Sequence, residues 1–546
     1  MSTSRRQFVT AAGGLAAAAI LSPQSVALAA PRSKLLTSGT FKDGIASGDP
    51  TTRSIVLWTR LDGAGGSGLV ELEVATDKAF RKVVARSKIT TNASVNHAVK
   101  AQVNKLKPHE QYYYRFATGK HDSPVGRFRT SLPADSKAPV KFAFFSCADY
   151  THGYYNAYEH MAGQDLDFIV CLGDYIYDES YHSKADGTGV RDDAIGKTLP
   201  GYPQAIRAAI SLSDYRRKYS LYRTDKSLRK IHQSFPMVTL WDDHEVMDNY
   251  AGGEADGGLP PGYGYTTARK AAGYKAFAES MPTYGAKLGG TGVAIKGNKI
   301  YRKLSYGKNV DLFVMDQRQY RDNQPCEDGV EAPCAEWTQS RDFLGRPQME
   351  WLKKELAAST ASWKVMANEL MIMPTKVLGG SFFSFDSWQG YPGERAELLS
   401  FIKDKGIKDT VFVTGDIHTF IAGAVQEGYD GTGATLSTEF VGGSITSAGL
   451  GETDLDAGGG VVIKGNDQNP STSPALIDSL RGLNPWVDVA DFDHHGYGLV
   501  EASSTTFDCE LVRMQTVKQK TTKTLDSKGW HWKLPRGAVG TKGHEA

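Results

Sequence analysis

Four short apolar segments, each ending in polar residues of metal-binding types, constrain the fold of this 546-residue chain most strongly. The segments are VKFAFFSCADY, DFIVCLGDYIYD, SFPMVTLWDDHE and DTVFVTGDIHTF. Apolar runs of this length are typical of strands buried on both faces, and helical patterns such as SLSDYRRKYSLYR, TARKAAGYKAFAESM and RPQMEWLKKELAAS lie between them. Buried strands alternating with helices predict an α/β fold, in which ligands bind beyond the carboxyl ends of the strands.

A different pattern precedes this region. SIVLWTRL, GLVELEVATD and HAVKAQVNKL alternate apolar and polar residues, and LKPHEQYYYRFATG resembles a late strand of a fibronectin type III or Ig-like sandwich. The stretch TSLPADSKAPV indicates a linker. We therefore predict a small β-sandwich domain at residues 40–131 and a larger α/β domain at 138–515. A C-terminal tail is predicted at 516–546. Its end, SKGWHWKLPRGAVGTKGHEA, is polar and Gly-rich after Trp532 and is expected to be partly disordered.

The N-terminus has the features of an export signal. Arg5 and Arg6 precede the apolar run FVTAAGGLAAAAIL, and Ala27-Leu28-Ala29 fits a peptidase site. This pattern predicts a twin-arginine signal peptide at residues 1–29 and a secreted or cell-wall-associated protein. The alternative is a membrane anchor, but the run is shorter than the roughly 20 residues of a spanning helix, and no later stretch reaches that length. We expect the twin-arginine export machinery as a partner and no transmembrane segment in the mature chain.

The net charge bears on whether a nucleic-acid partner is needed, and the cysteine positions bear on disulfide pairing. The net charge of +2 gives no basic field that would require a nucleic-acid partner. Of five cysteines, Cys326 and Cys334 flank the polar loop CEDGVEAPC and are expected to form a disulfide outside the cell. Cys171 is predicted to be a buried thiol and Cys509 to lie in a late strand, which leaves Cys147.

The strand ends together predict a metal site. A single Asp after a strand is usually a turn former or a helix cap, so the prediction depends on the whole set. The stretch WDDHEVMDNY alone has three Asp and one Glu just after a buried strand, which is unfavourable without nearby positive charge. The candidate residues are Cys147, Asp174, Tyr177, Asp242, Asp243, His244, Asn368, Asp416 and His418.

The motifs GDYIY, WDDHE, VMAN and GDIH resemble the metal motifs of the calcineurin-like metallophosphoesterases. They are most similar to those of the PhoD-type alkaline phosphatase/phosphodiesterase family, which also includes a phospholipase D. SCADY, DQRQYR and DSWQGYPGER are similar to that family too, and the resemblance covers roughly residues 40–510. It implies a metallophosphoesterase β-sheet sandwich flanked by helices.

The resemblance also implies two metal ions. Fe³⁺ would be bound by the set Cys147, Asp174, Tyr177 and His418. The second metal would be bound by Asp174, Asp243, Asn368 and Asp416. Related purple acid phosphatases have Asn and two His at the second set's non-bridging positions, and an all-oxygen shell favours Ca²⁺ over zinc. For Cys147 the alternative is a buried free thiol.

Two residues are expected to act on substrate. His244 would contact phosphate or protonate the leaving alkoxide, and Arg318 would bind phosphate oxygens, with a structural salt bridge to Asp316 or another acid as its alternative. Asp242, Glu245, Asp248 and Asn249 would orient His244 or bind a further calcium. His494 and His495 would reach the mouth of the site, or else be satisfied surface or core histidines.

The predicted activity is metal-assisted hydrolysis of phosphomonoesters, phosphodiesters or both, with phosphate as product. One alternative is a secreted phospholipase D acting on lipid head groups, for which GGSFFSF and SITSAGL are candidate apolar rims. The other is a wall-binding or structural protein with a vestigial metal cluster, against which the intact motifs argue.

Overall fold

The computed structural model describes residues 20–21, 35–184, 187–199, 206–251, 262–284, 299–326, 330–377, 380–452, 455–456, 462–463 and 473–546. Most of the predicted signal peptide lies outside these ranges. Among the described residues, no helix combines the length and the apolar character that crossing a bilayer requires.

The N-terminal region is a β-sandwich, as predicted. Sheet order β5-β4-β7-β8 forms one layer, and β6-β3-β2 lies in the other. Inward-facing residues such as Leu57, Leu72 and Phe128 form its core. The strands are β1 Ile20–Leu21, β2 Ile45–Gly48, β3 Ile55–Arg60, β4 Gly68–Ala75, β5 Val83–Thr91, β6 Ala98–Val103, β7 Gln111–Ala117 and β8 Gly126–Arg129.

The remaining strands belong mainly to the α/β region. They are β9 Val140–Phe145, β10 Phe168–Cys171, β11 Lys197–Thr198, β12 Arg207–Ala208, β13 Pro236–Thr239, β14 Arg302–Tyr306, β15 Val310–Val314, β16 Trp363–Asn368, β17 Thr410–Thr414, β18 Phe420–Gln426, β19 Thr435–Gly442, β20 Leu455–Asp456, β21 Val462–Ile463, β22 Val487–Asp491, β23 Gly496–Ala502, β24 Thr506–Arg513 and β25 His531–Pro535. The helices are α1 Asn156–Met161, α2 Leu212–Tyr222, α3 Lys226–Ser234, α4 Thr267–Ser280, α5 Arg346–Ala358, α6 Pro392–Asp404 and α7 Ser473–Leu483.

Two large sheets face each other in this region. One has the order β1-β6-β3-β2-β13-β10-β9-β23-β24-β25 and the other β14-β15-β16-β17-β19-β18-β22. Side chains alternate along the second sheet: Val365 and Val413 face the core between the sheets, whereas Met366 and Phe412 pack in a second core with α5 and α6. The predicted α/β class, with a sheet sandwich flanked by helices, is confirmed.

The first sheet runs through both predicted domains. Strand β2 pairs parallel with β13, with Ser47 opposite Pro236 and Gly48 opposite Met237. The Trp58 indole N–H also donates a 2.7 Å hydrogen bond to Glu279 O. The bounds 40–131 and 138–515 remain predictions, and they divide one continuous sheet.

The tail differs from the expectation of partial disorder. Strand β25 pairs with β24, and Trp532 is fully buried against the sheet. The apolar Trp and Leu of HWKLP alternate with polar residues, which is typical of a strand with one buried face.

Three cysteine predictions are confirmed. Cys326 and Cys334 form a disulfide, with Cα atoms 5.6 Å apart. Cys171 is a buried free thiol, and Cys509 is buried in β24.

Candidate metal centre

The candidate ligands converge because parallel strands end side by side. In the first sheet, Phe145 pairs with Cys171 and Cys171 pairs with Thr239, so β9, β10 and β13 stop at one edge. The loops that follow carry Cys147, Asp174 and Asp243. Strand β17 ends nearby in the second sheet and is followed by Asp416 and His418.

Four of these residues have left-handed backbone conformations. The φ angles are 60° for Cys147, 51° for Asp174, 68° for Asp416 and 55° for His418. Residues other than glycine rarely adopt positive φ, and such strained positions cluster at functional sites because surrounding structure holds them there. The strand-to-loop turns therefore aim these side chains at the cost of local strain.

Glycine precedes one of these ligands for a steric reason. Gly173 has φ +112°, and a Cβ on it would lie 2.3 Å from Asp242 Cβ and 2.8 Å from Asp242 N. Only glycine lets the GDYIY loop approach the WDDHE loop this closely. Glu245 then joins the two loops by accepting backbone hydrogen bonds from Asp174 (3.1 Å), Tyr175 (2.7 Å) and Asp242 (2.8 Å).

One group of ligand types comprises Cys147, Asp174, Tyr177 and His418. One ligand atom each of Cys147, Asp174 and His418 lies within 4.8 Å of the other two. Tyr177 Oη is 3.1 Å from Asp174 Oδ2 and 2.8 Å from His418 Nε2. Because His418 Nδ1 faces Ala448 O at 2.9 Å, its Nε2 is directed at this group. The thiol, phenol, carboxyl and imidazole groups thus lie close together.

A second group is made of carboxylates. Asp174 lies within 4.8 Å of Asp243 and His244, and Asp242, Asp243 and Asp416 form a further cluster by the same measure. Asp174 connects the two groups, as a bridging ligand would.

Electrostatics support the binding of cations here. Burial and then Asp243 raise the pKa of Asp174 well above its usual value, and burial and then Asp242 raise the pKa of Asp416. Burial raises the pKa values of Cys147 and Tyr177, with neighbouring Asp174 adding to the effect. Buried donors this crowded stay ionised only when additional positive charge is present, so the donor set fits metal ions.

Arg318 neutralises part of this charge. Its Nε is 2.5 Å from Asp242 Oδ1 and its Nη1 donates to Asp386 Oδ1 at 2.9 Å; Nη2 lies 3.8 Å from Asp243 and 3.6 Å from Asp416. The side chain is completely buried and is absent from the residues that line the adjacent cavity. The structure therefore favours the ion-pair alternative, with Asp242 and Asp386 as the acids in place of Asp316.

Asn368, at the end of β16, has hydrogen-bond partners of its own. Its Oδ1, the atom a metal would need, accepts hydrogen bonds from Gln317 and Trp388. Its amide nitrogen donates to Leu370 O and Thr414 Oγ1. A fully hydrogen-bonded amide at the end of β16 keeps the loop in place and leaves no lone pair directed at the carboxylates.

His244 lies beside both groups. Its ring stacks on Tyr177 with centroids 4.1 Å apart, and its Nδ1 is 2.9 Å from Asp178 Oδ1. Arg269 holds Asp178 by an ion pair of 2.7 Å. Burial lowers the pKa of His244, but Asp243, Asp174 and Asp178 outweigh it and raise this pKa well above its usual value.

A cavity of about 460 Å³ opens over the cluster. Its polar wall includes Asp174, Asp243, His244, Asp416 and His418. Its other wall includes Val330, Phe383, Ile417 and Leu450. Phe383 and Leu450 come from the two segments predicted as candidate apolar rims.

Of the remaining predicted residues, Asp248 and Asn249 lie beside the cluster, whereas His494 and His495 pair elsewhere. Asn249 N donates to Asp243 Oδ2 at 2.7 Å, and Asp248 Oδ1 is 3.7 Å from His244 Nε2. His494 pairs with Asp491, and His495 is buried against Glu452. Neither histidine lines the cavity.

Sequence reasoning missed Asp178 and Asp386. Asp178 directly follows the GDYIY motif, and Asp386 begins DSWQGYPGER, so both lay within segments already linked to the family. Their partners are distant in sequence: 66 residues separate Asp178 from His244, and 68 separate Asp386 from Arg318.

Comparison with known proteins gives a consistent result. Residues 142–511 match the model of the PhoD-like phosphatase family, and residues 27–132 match that of the PhoD-like phosphatase N-terminal domain. Alkaline phosphatase D of Bacillus subtilis (strain 168) is 37% identical over 469 residues, covering 82% of this chain and 77% of the relative.

Solved structures agree with this result. A structure of PhoD superposes with a TM-score of 0.78 at 30% identity, covering 93% of each chain. A purple acid phosphatase from yellow lupin (Lupinus luteus) seeds has a TM-score of 0.51 at 12% identity, covering 88% of this chain and 72% of its own, and so shares the fold. With a family model matching most of its length and a curated relative at this identity, the chain belongs to the PhoD-like phosphatase family.

Proposed function

We propose that this phosphoric ester hydrolase acts on phosphomonoesters, phosphodiesters or both at the cavity over the carboxylate cluster. The observation that carries the proposal is the convergence of thiol, phenol, imidazole and carboxylate groups around Asp174, in the part of the chain that matches the phosphatase family.

The proposed cofactors are Fe³⁺ and Ca²⁺. Fe³⁺ would be held by Cys147, Asp174, Tyr177 and His418, since thiolate and phenolate are strong donors to a highly charged ion. Ca²⁺ would be held by Asp174, Asp243 and Asp416, because hard oxygen donors suit it. Asn368 is left out of this set because its oxygen has two other donors. The cations would neutralise phosphoryl charge and activate water as the nucleophile.

His244 is proposed as the residue that protonates the leaving oxygen. The Nδ1 atom faces Asp178, so Nε2, which lies on the cavity side 3.7 Å from Asp248 Oδ1, is the nitrogen that would transfer a proton. Asp178, fixed by Arg269, would orient the ring and stabilise its protonated form. Arg318 would act indirectly, by keeping Asp242 and Asp386 charge-balanced beneath the cluster.

Export through the twin-arginine route is proposed from Arg5, Arg6 and the apolar run that follows, with residues 1–29 removed. That route suits a chain that folds around its metals before export. The disulfide between Cys326 and Cys334 suits an oxidising compartment.

The first experiment tests activity and substrate class. Purified protein is assayed with p-nitrophenyl phosphate, bis-p-nitrophenyl phosphate and phosphatidylcholine, alongside Asp174→Asn and the control Asp165→Asn, whose carboxylate is on the surface. We expect Asp174→Asn to abolish turnover of the nitrophenyl esters and Asp165→Asn to leave it unchanged. Equal activity of the two variants would refute the site. Hydrolysis of phosphatidylcholine alone would revive the phospholipase D alternative, which no comparison supports.

The second experiment tests the metals. A calcium-selective chelator should remove activity while iron stays bound, because an oxygen-only shell holds its ion more weakly than a shell with thiolate and phenolate. Added Ca²⁺ should restore activity. Restoration by zinc but not by calcium would contradict the assignment of the oxygen shell.

A further inference from the structure

A second cluster of metal-binding side chains lies apart from the phosphatase cavity. One ligand atom each of His152, Glu452 and His495 lies within 4.8 Å of the other two. The two histidines are buried, with 1% and 4% of their surface exposed. None of the three lines the cavity over the carboxylate cluster.

Both imidazoles are oriented by their Nδ1 atoms. His152 Nδ1 is 2.5 Å from Thr446 O, and His495 Nδ1 is 2.8 Å from Ser444 Oγ. A carbonyl oxygen only accepts, and the Ser444 hydroxyl already donates to Ser447 O at 2.6 Å, so each Nδ1 carries a proton that it donates. Neutral rings in this state present an Nε2 lone pair, and this is how metal-binding histidines are commonly fixed.

Glu452 lies close to His495 without forming a hydrogen bond with it. Its Oε2 is 3.1 Å from His495 Nε2, yet the direction between them does not suit a hydrogen bond. The buried Nε2 therefore has no hydrogen-bond partner among the described residues. Two donors about 2.1 Å from a tetrahedral ion lie about 3.4 Å apart, so the 3.1 Å between Oε2 and Nε2 is compatible with two ligands of one ion.

We propose that His152, Glu452 and His495 form a second metal site, for a divalent ion of the zinc type. Two imidazoles and one carboxylate are donors that zinc prefers over calcium. The ring of His182 packs on His152 with centroids 4.4 Å apart. Water or this imidazole would complete a tetrahedral shell.

The site would act as a structural cross-link. His152 follows β9, Glu452 lies in the loop after β19, and His495 directly precedes β23, so one ion would tie three segments far apart in sequence. The middle segment, residues 444–452, also contains Ala448, whose carbonyl faces His418 Nδ1 at 2.9 Å. Binding would thus stiffen the loop that orients His418.

Zinc content and affinity test the proposal. The full-length protein, the double variant His152→Ala/His495→Ala, Glu452→Gln and the control His494→Ala are dialysed against zinc and analysed for metal per chain. His494 is the adjacent histidine and pairs with Asp491, outside the cluster. We expect the wild type and His494→Ala to hold one more zinc than the double variant, and zinc to raise only their melting temperatures.

Glu452→Gln keeps the size of the side chain, so it tests the site even if the double variant misfolds. Its zinc affinity at this site should fall by more than about 10-fold, the smallest loss typical of weaker, outer-sphere changes. Cobalt provides a spectroscopic check, because a tetrahedral site gives visible cobalt bands that the ligand variants should lack. Equal zinc content and affinity in the wild type and in both ligand variants would overturn the proposal, whatever the phosphatase activity.

Discussion

Tyr177 lies between Asp174 and His418, and the ring of His244 stacks on one of its faces. Phenylalanine would pack in the same way, so the hydroxyl is the functional part of this side chain. Tyr177→Phe should abolish the visible charge-transfer band that phenolate gives on Fe³⁺, as absorption spectra and iron analysis of the two proteins will show. A colourless wild type that is fully active with zinc alone would contradict the iron assignment.

His244 offers a test of proton transfer. His244→Ala should keep metal content near normal and lower turnover of an alkyl phosphate by about 10²–10⁴-fold, since an alkoxide needs protonation. The loss should be smaller for p-nitrophenyl phosphate, whose leaving group needs little help. Asp178→Asn should give the same dependence on leaving group with a smaller loss, because it removes the negative charge beside Nδ1 and keeps the ring.

The control for these variants is Asp243→Ala. It should lower the occupancy of the proposed calcium site and slow the hydrolysis of both substrates alike, because Asp243 belongs to the carboxylate group. Equal losses on the two substrates for His244→Ala would leave phosphate binding as its role, and loss of metal in that variant would make it a ligand.

At the scale of elements, the close contact between the loop after β10 and the loop after β13 fixes where the candidate ligands lie. Gly173→Ala should destabilise the protein by roughly 2–5 kcal/mol, because it combines a left-handed φ with a clash against Asp242. Gly406→Ala is the matched control, with φ +60° and no atom within 4 Å, and should cost about 1–2 kcal/mol. Urea unfolding measures both, and equal costs would show that the close approach does not matter.

Arg318 connects the loop after β13 with the segment that precedes α6. Arg318→Met should cost about 3–5 kcal/mol, because Asp242 and Asp386 would remain buried without their partner. Arg346→Met removes an exposed ion pair with Glu397 and should cost at most about 1 kcal/mol. Similar urea midpoints for the two variants would mean that metal ions alone balance these acids.

The whole molecule depends on a sheet shared by the N-terminal sandwich and the α/β region. Deleting residues 35–131 should make the rest of the chain aggregate, because it exposes the edge of β13 and removes the partner of Glu279 O. A milder variant is Gly48→Val, since a Cβ there would lie 2.3 Å from Pro282 O. Size-exclusion chromatography checks both. A soluble, monomeric and active deletion variant would show that the α/β region folds alone.

The sequence by itself determined the α/β class, the sandwich before it, the disulfide and most of the residues that converge. Period-2 and buried-strand patterns are local, and neighbouring parallel strands end at one edge, so Cys147, Asp174 and Asp243 were predictable. Asp416 follows β17 of the second sheet, and the GDIH motif made it predictable. The tertiary structure alone decided which neighbours take up Asn368 Oδ1 and the Arg318 guanidinium, and which acid holds His244. Those partners lie about 20 to 80 residues away, and hydrogen-bond direction and burial, which select among them, exist only once the sheets have packed.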